Sequence, residues 1–94
     1  MEQVDQIKQG TSGSLRVLLF GAEATLLGTS EISVPAEEGI RTVRDLRNWL
    51  AYRHGKLGPL MNQIRVAVNH RFAADDTPLG PDDEIALIGK VSGG

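Results

Sequence analysis

The period of the hydrophobic positions changes twice along this chain, and each change marks an element. Leu15 to Phe20 is a nearly unbroken aliphatic and aromatic run after a Gly/Ser cluster, which predicts a strand. Ala22 to Leu27, bracketed by Gly21 and Gly28, is made largely of good helix formers and predicts a short helical turn with Leu26 and Leu27 packed inward. Glu31 to Val34 alternates polar and apolar residues until Pro35, as a second strand paired with the first would. The spacing then lengthens to three and four. Val43, Leu46, Trp49, Leu50 and Arg53 fall on one stripe, predicting a long helix. Its start is Thr42-Val43-Arg44-Asp45, where the threonine can accept an orphan amide and the acid favours the positive end of the helix dipole. Gly55 is expected in the left-handed conformation that ends the helix, and Gly58-Pro59 in a loop. Alternation returns at Ile64, Val66 and Val68 as a third strand. Asn69-His70 then reads as a turn, Arg71-Phe72 as a short return strand, and Gly80-Pro81-Asp82-Asp83 as the turn into a last strand, Glu84 to Ile88.

Strand, strand, helix, strand, short strand, strand is the order of an α+β, ubiquitin-like β-grasp: a mixed sheet crossed by one main helix. The helix-containing middle is long enough to let the first and last strands lie side by side and parallel. Residues 1–14 are polar and without period, and are expected to be a mobile leader. The domain is then 15–90 and the tail 91–94. Strand parity puts Val17, Leu19, Ile85 and Leu87 under the helix. It leaves Leu18, Phe20, Ala86 and Ile88 on the opposite face with Arg16 and Glu84. An uncovered sheet face with Leu, Phe and Ile, joined by Phe72, is a candidate partner surface.

Val91-Ser92-Gly93-Gly94 follows the last strand. Two residues without Cβ let the backbone thread a channel too narrow for other side chains. The carboxylate of Gly94, ionised at neutral pH, could then attack the α-phosphate of ATP in a partner's site. A frayed glycine terminus is the bland reading, and what weighs against it is the rigid strand from which this tail departs.

Composition narrows the chemistry. The chain has no cysteine, so any sulfur it handles is borrowed. Ten basic and twelve acidic residues are well mixed, for a net charge of −2, which is no field for a nucleic-acid backbone. No apolar run approaches the roughly 20 residues of a membrane span, and no signal pattern precedes the first strand, so a cytoplasmic location is expected. His54 and His70 lack metal-ligand spacing, and Asp82-Asp83-Glu84 reads as a solvated turn, so no metal is expected. Trp49 and Tyr52 read as core and core-edge residues of the helix.

Several of these stretches together resemble a known family. They are Arg16-Val17-Leu18-Leu19-Phe20 with Leu26-Leu27-Gly28, the Thr42-Val43-x-x-Leu46 helix start, Ala67-Val68-Asn69, Pro78-Leu79-x-x-x-Asp83-Glu84-Ile85-Ala86, and Val91-Ser92-Gly93-Gly94. Over residues 15–94 the chain resembles the MoaD/ThiS family of ubiquitin-like sulfur carriers, most of all the small subunits of molybdopterin synthase. The resemblance implies that Gly94, presented by Gly93, is adenylated and becomes a thiocarboxylate whose sulfur builds the molybdopterin dithiolene. It implies three partners: the large catalytic synthase subunit, in a heterotetramer; a ubiquitin-activating-like adenylyltransferase; and a sulfurtransferase. ATP is used by the activating enzyme and no cofactor is bound here; this chain supplies no catalytic side chain. Phe20, Phe72, Ile88, Lys90, Val91 and Ser92 are the expected partner-binding residues. Where the relatives carry a proline pair, this chain has Gly89-Lys90, and Gly89→Pro is expected to be tolerated. Asp82, at a turn position that is commonly glycine, is expected to tolerate a left-handed backbone. Other readings with the same tail are a carrier for thiamin or tRNA thiolation, or a protein modifier. From another class, a non-covalent β-grasp interaction domain would have an inert tail.

Overall fold

A computed structural model of the chain describes residues 14–89. In chain order the elements are β1 (Leu15–Leu19), α1 (Gly21–Leu27), β2 (Glu31–Val34), α2 (Val43–Arg53), β3 (Arg65–Val68), β4 (Arg71–Phe72) and β5 (Ile85–Ile88). Short 3-10 segments lie at Ala36–Glu38 and Gly55–Gln63. The strands form one sheet in the order β2-β1-β5-β3-β4. β1 and β5 are parallel, with Leu19 opposite Leu87, and the other pairings are antiparallel. With α2 across one face, this is the expected ubiquitin-like β-grasp.

The inward parity is as expected: Val17, Ile85 and Leu87 are fully buried and Leu19 nearly so, packed with Val43, Leu46 and Leu50 of α2. Each such side chain contributes roughly 1.5–3 kcal/mol by leaving water. Several expectations fail. Leu26 is exposed, because in the short α1 it is Ala24 and Leu27, three residues apart, that meet the core. Tyr52 is 86% exposed, since it lies off the stripe that Leu46 and Leu50 define. Gly55 is not left-handed; left-handed glycines instead end α1, at Gly28 with φ 71°, and the 3-10 segment Ala36–Glu38, at Gly39 with φ 70°. Gly58-Pro59 lies inside the 3-10 segment Gly55–Gln63, which buries Leu57 and Met61. Asp82 has no positive φ, and the turn before β5 is closed instead by Asp83, whose Oδ2 accepts from the Gly80 amide at 2.8 Å.

Arg47 of α2 holds the 3-10 segment down. Its Nη1 and Nη2 donate to the carbonyls of Met61 and Ile64 at 2.9 and 2.7 Å, and its Nε lies 3.1 Å from Asp75 Oδ1. Carbonyls of the loop between β4 and β5, which carries Asp75, accept from the first amides of α2, Val43 to Thr77 and Arg44 to Asp75.

The capping box forms as the sequence predicts. Asp45 N–H donates to Thr42 Oγ1 at 3.3 Å, and Asp45 Oδ2 accepts from the amides of Arg41 and Thr42 at 3.0 and 3.2 Å. Those amides, Arg41 first, hold the Asp45 carboxyl below its ordinary pKa. A depressed folded-state pKa means that the stabilisation is present above the ordinary value and is lost as pH falls through the folded one. Asp45→Asn should therefore melt below the native chain at neutral pH, with the gap closing in acid below the ordinary Asp value of about 4. A gap in thermal melts that stays constant from pH 7 to pH 2 would sink this assignment.

Candidate functional site

The sheet face turned away from α2 carries a row of outward positions at one level: Leu18, Ala86, Ala67 and Phe72 on neighbouring strands. The two alanines are short and the flanking side chains are not, so the sheet surface is concave there. Ala67, Ala86, Phe72, Phe20 and Ile88, with His70 and Glu84, line an open groove of about 380 Å³. Phe20 and Phe72 are 52% and 55% exposed, unusually high for phenylalanine outside an interface.

Each wall has a local cause. Phe20 follows β1 directly, and because β1 runs parallel to β5 it stands beside Ile88. Phe72 is placed by a two-residue hairpin whose central residues, Asn69 and His70, have φ of 54° and 72°. Positive φ at both positions is what the tight type I′ connection requires. Asn69 also ties that hairpin to the β5 entry, since its Oδ1 accepts from the Glu84 amide and its Nδ2 donates to Asp83 Oδ1, both at 2.9 Å. The Arg65 guanidinium stacks over the Phe72 ring, 3.8 Å from its centroid, and restricts it. At the polar end His70 Nε2 lies 3.3 Å from Glu84 Oε1. The groove is thus polar where β5 begins and apolar where β5 ends.

The structure brings Phe20, Phe72 and Ile88 together as expected, and adds Ala67 and His70, which sequence reading did not assign to this surface. The signal for Ala67 was available: it alternates with Val66 and Val68, so it faces outward. Lys90, Val91, Ser92, Gly93 and Gly94 lie outside the described residues, as does the leader apart from Ser14. A Cβ at residue 89 would meet the carboxylate of the buried Glu23, the far end of a flexible side chain, which must shift to admit Gly89→Pro. Among the described residues no cluster of His, Cys, Asp or Glu could hold a metal ion, and no helix is long and apolar enough to cross a membrane.

The family model described as "ThiS family" matches residues 17–94. No curated protein matches the chain. Among solved structures, SAMP1 from Haloferax volcanii is 30% identical, with a TM-score of 0.73 over 87% of this chain and 100% of that one. A putative molybdopterin converting factor, subunit 1, from Pyrococcus furiosus is 27% identical, with a TM-score of 0.71 over 85% of this chain and 100% of that one. A complex of subunits 1 and 2 of molybdopterin-converting factor from Helicobacter pylori shares the fold, at a TM-score of 0.63 and 23% identity over 86% of this chain and 99% of that one.

Proposed function

This chain belongs to the ThiS family, and from that premise we propose that it is the cytoplasmic sulfur-carrier subunit of a molybdopterin synthase. The Gly94 carboxylate attacks the α-phosphate of ATP on an adenylyltransferase, displacing pyrophosphate and leaving an acyl-adenylate. Sulfide, supplied through a sulfurtransferase and a thiol reductant, then displaces AMP, and the product is a thiocarboxylate on Gly94. Docked on a large catalytic subunit, the thiocarboxylate sulfur bonds to a carbon of the pterin precursor of the dithiolene, and water then cleaves the acyl–sulfur bond, leaving the sulfur on the pterin and the chain as the carboxylate. Phe20, Phe72 and Ile88 hold the body to the partner while Lys90, Val91, Ser92 and Gly93 enter its channel. The chain contributes no acid, base or metal to the transfer.

The observation that carries this reading is the apolar end of the groove, which abuts Ile88, the last residue before the chain heads toward Gly94. A carrier needs a docking patch beside its reactive terminus, because holding the body turns delivery of the tail into an effectively intramolecular event. The likeness to the Pyrococcus furiosus converting factor supports the synthase assignment.

The likeness to Haloferax volcanii SAMP1, a small archaeal modifier protein, favours a second reading, a ubiquitin-like protein modifier. Both routes pass through the same adenylate and part at the acceptor, sulfide in one and a lysine amine in the other. The deciding experiment incubates the chain with ATP, an adenylyltransferase and a sulfur donor, then with a large synthase subunit and the pyranopterin precursor. Molybdopterin formation supports the carrier; isopeptide links from Gly94 to lysines of other proteins, with no molybdopterin, replace it with the modifier.

A further inference from the structure

Glu23 is the buried charged residue among those described, 6% exposed, and its carboxylate lies against Gly89, the residue directly after β5. A Cβ built on residue 89 would come within 2.7 Å of Glu23 Cδ, so the carboxylate fills the space that a side chain at 89 would need. Topology brings the two together. β1 and β5 run parallel and level, and α1 starts at Gly21, just beyond β1, so its first turn, which carries Glu23, sits at the end of the sheet where β5 stops. Packing alone does not call for an acid there: burying a carboxylate is unfavourable, and an apolar side chain would fill the same volume without that cost. The carboxylate lies instead against Gly89, at the point where the chain leaves the sheet.

We infer that Glu23 is a positioning residue for the tail: seated in the space left open by Gly89, it fixes the direction in which the chain departs from β5 toward Gly94. The inference rests on the reading of the tail as a group that enters a partner's site, since only such a tail gains from a fixed departure. It also accounts for glycine at 89. Proline would be another way to stiffen this residue, but it would displace the Glu23 carboxylate from the position it holds against residue 89.

The test uses the full chain with Glu23→Ala, Glu23→Gln, Gly89→Ala and the double variant Glu23→Ala/Gly89→Ala. Backbone amide relaxation is measured for residues 85–94 of the free protein, together with thermal melts and KM and kcat for ATP–pyrophosphate exchange with an adenylyltransferase. Glu23→Ala should leave the β5 amides rigid, loosen those from Gly89 onward, and raise KM for the carrier roughly tenfold at unchanged kcat, about the backbone entropy of one residue. Glu23→Gln, which keeps the shape, should stay within about twofold of native in KM, a rescue that general loss of packing does not predict. Gly89→Ala alone should lower the melting temperature, and adding Glu23→Ala should restore it, because truncating residue 23 opens the space. Unchanged tail relaxation and KM in Glu23→Ala, or strictly additive melting losses in the double variant, would overturn the inference. A native chain that never exchanges pyrophosphate defeats the carrier and modifier readings, while relaxation and the melting cycle still decide on Glu23.

Discussion

Removing Gly94, or adding a single glycine beyond it, abolishes activation of the tail and leaves the melting temperature unchanged. The expectation follows from reach. An extended chain advances at most about 3.6 Å per residue, so the segment from Ile88 to Gly94 spans no more than roughly 22 Å. With the body docked through the groove, one residue fewer draws the carboxylate back by about the length of a reacting contact. A misplacement of about 1 Å already costs on the order of a hundredfold in rate. An added glycine keeps the chemistry of the terminus and changes only its depth, which makes it the cleaner variant. Stability is untouched because a glycine has no side chain to bury, and among the described residues the buried core ends at Leu87. Intact mass after incubation with ATP, activating enzyme and sulfur donor reads the result. A chain extended by one residue that still exchanges oxygen for sulfur at native yield would show that depth is not controlled by the docked body.

The second large effect is at the groove. Phe72→Ala and Ile88→Ala should each weaken binding of a large synthase subunit by about thirtyfold or more, the loss of roughly 2 kcal/mol seen when a buried anchor is truncated at an interface. Thermal melts should move far less, by a few degrees, since these side chains are wholly or partly exposed in the free protein and make little of its core. Arg65→Ala is a useful companion. It removes the cation stacked on Phe72 and frees the ring, so it should weaken binding more mildly than loss of the ring itself. Titration calorimetry beside melting curves separates the two quantities. Native affinity for both Phe72→Ala and Ile88→Ala would mean that the exposed face is not where the partner sits.

Much of this architecture is legible in the sequence because its strands are short and half-buried, so parity carries over directly into faces. Val17, Leu19, Ile85 and Leu87 on one face, and Phe20 and Ile88 on the other, follow from period two. The capping box at Thr42 and Asp45 and the turn at Asn69-His70 are local chemistry and need no tertiary knowledge. What escaped is of another kind. The 3-10 segment Gly55–Gln63 contains two glycines and a proline, whose propensities argue for a loop; only the burial of Leu57 and Met61 and the grip of Arg47 make it a packed element. Leu26 and Tyr52 are apolar residues near the core in sequence that happen to lie off the buried stripes. Glu23 was invisible altogether, because a glutamate early in a short helix reads as solvent-facing, and only the parallel pairing of β1 with β5 brings it to Gly89.

That parallel pairing also decides how the molecule answers to mechanical load. Strands β1 and β5 lie side by side in the same direction, so tension applied between residue 15 and residue 88 draws them past one another along their length. Their shared hydrogen bonds are then strained together and must fail together, a shear geometry, whereas the β3–β4 hairpin pulled at its open end would unzip one bond at a time. In forced unfolding the governing quantity is the unfolding rate under load, and shear keeps that rate low. Single-molecule pulling through residues 15 and 88 should therefore need a distinctly higher force than pulling through residues 65 and 72, and equal forces would refute the clamp. A partner that tugs on the terminus while processing it would thus strain the tail before it unravels the body.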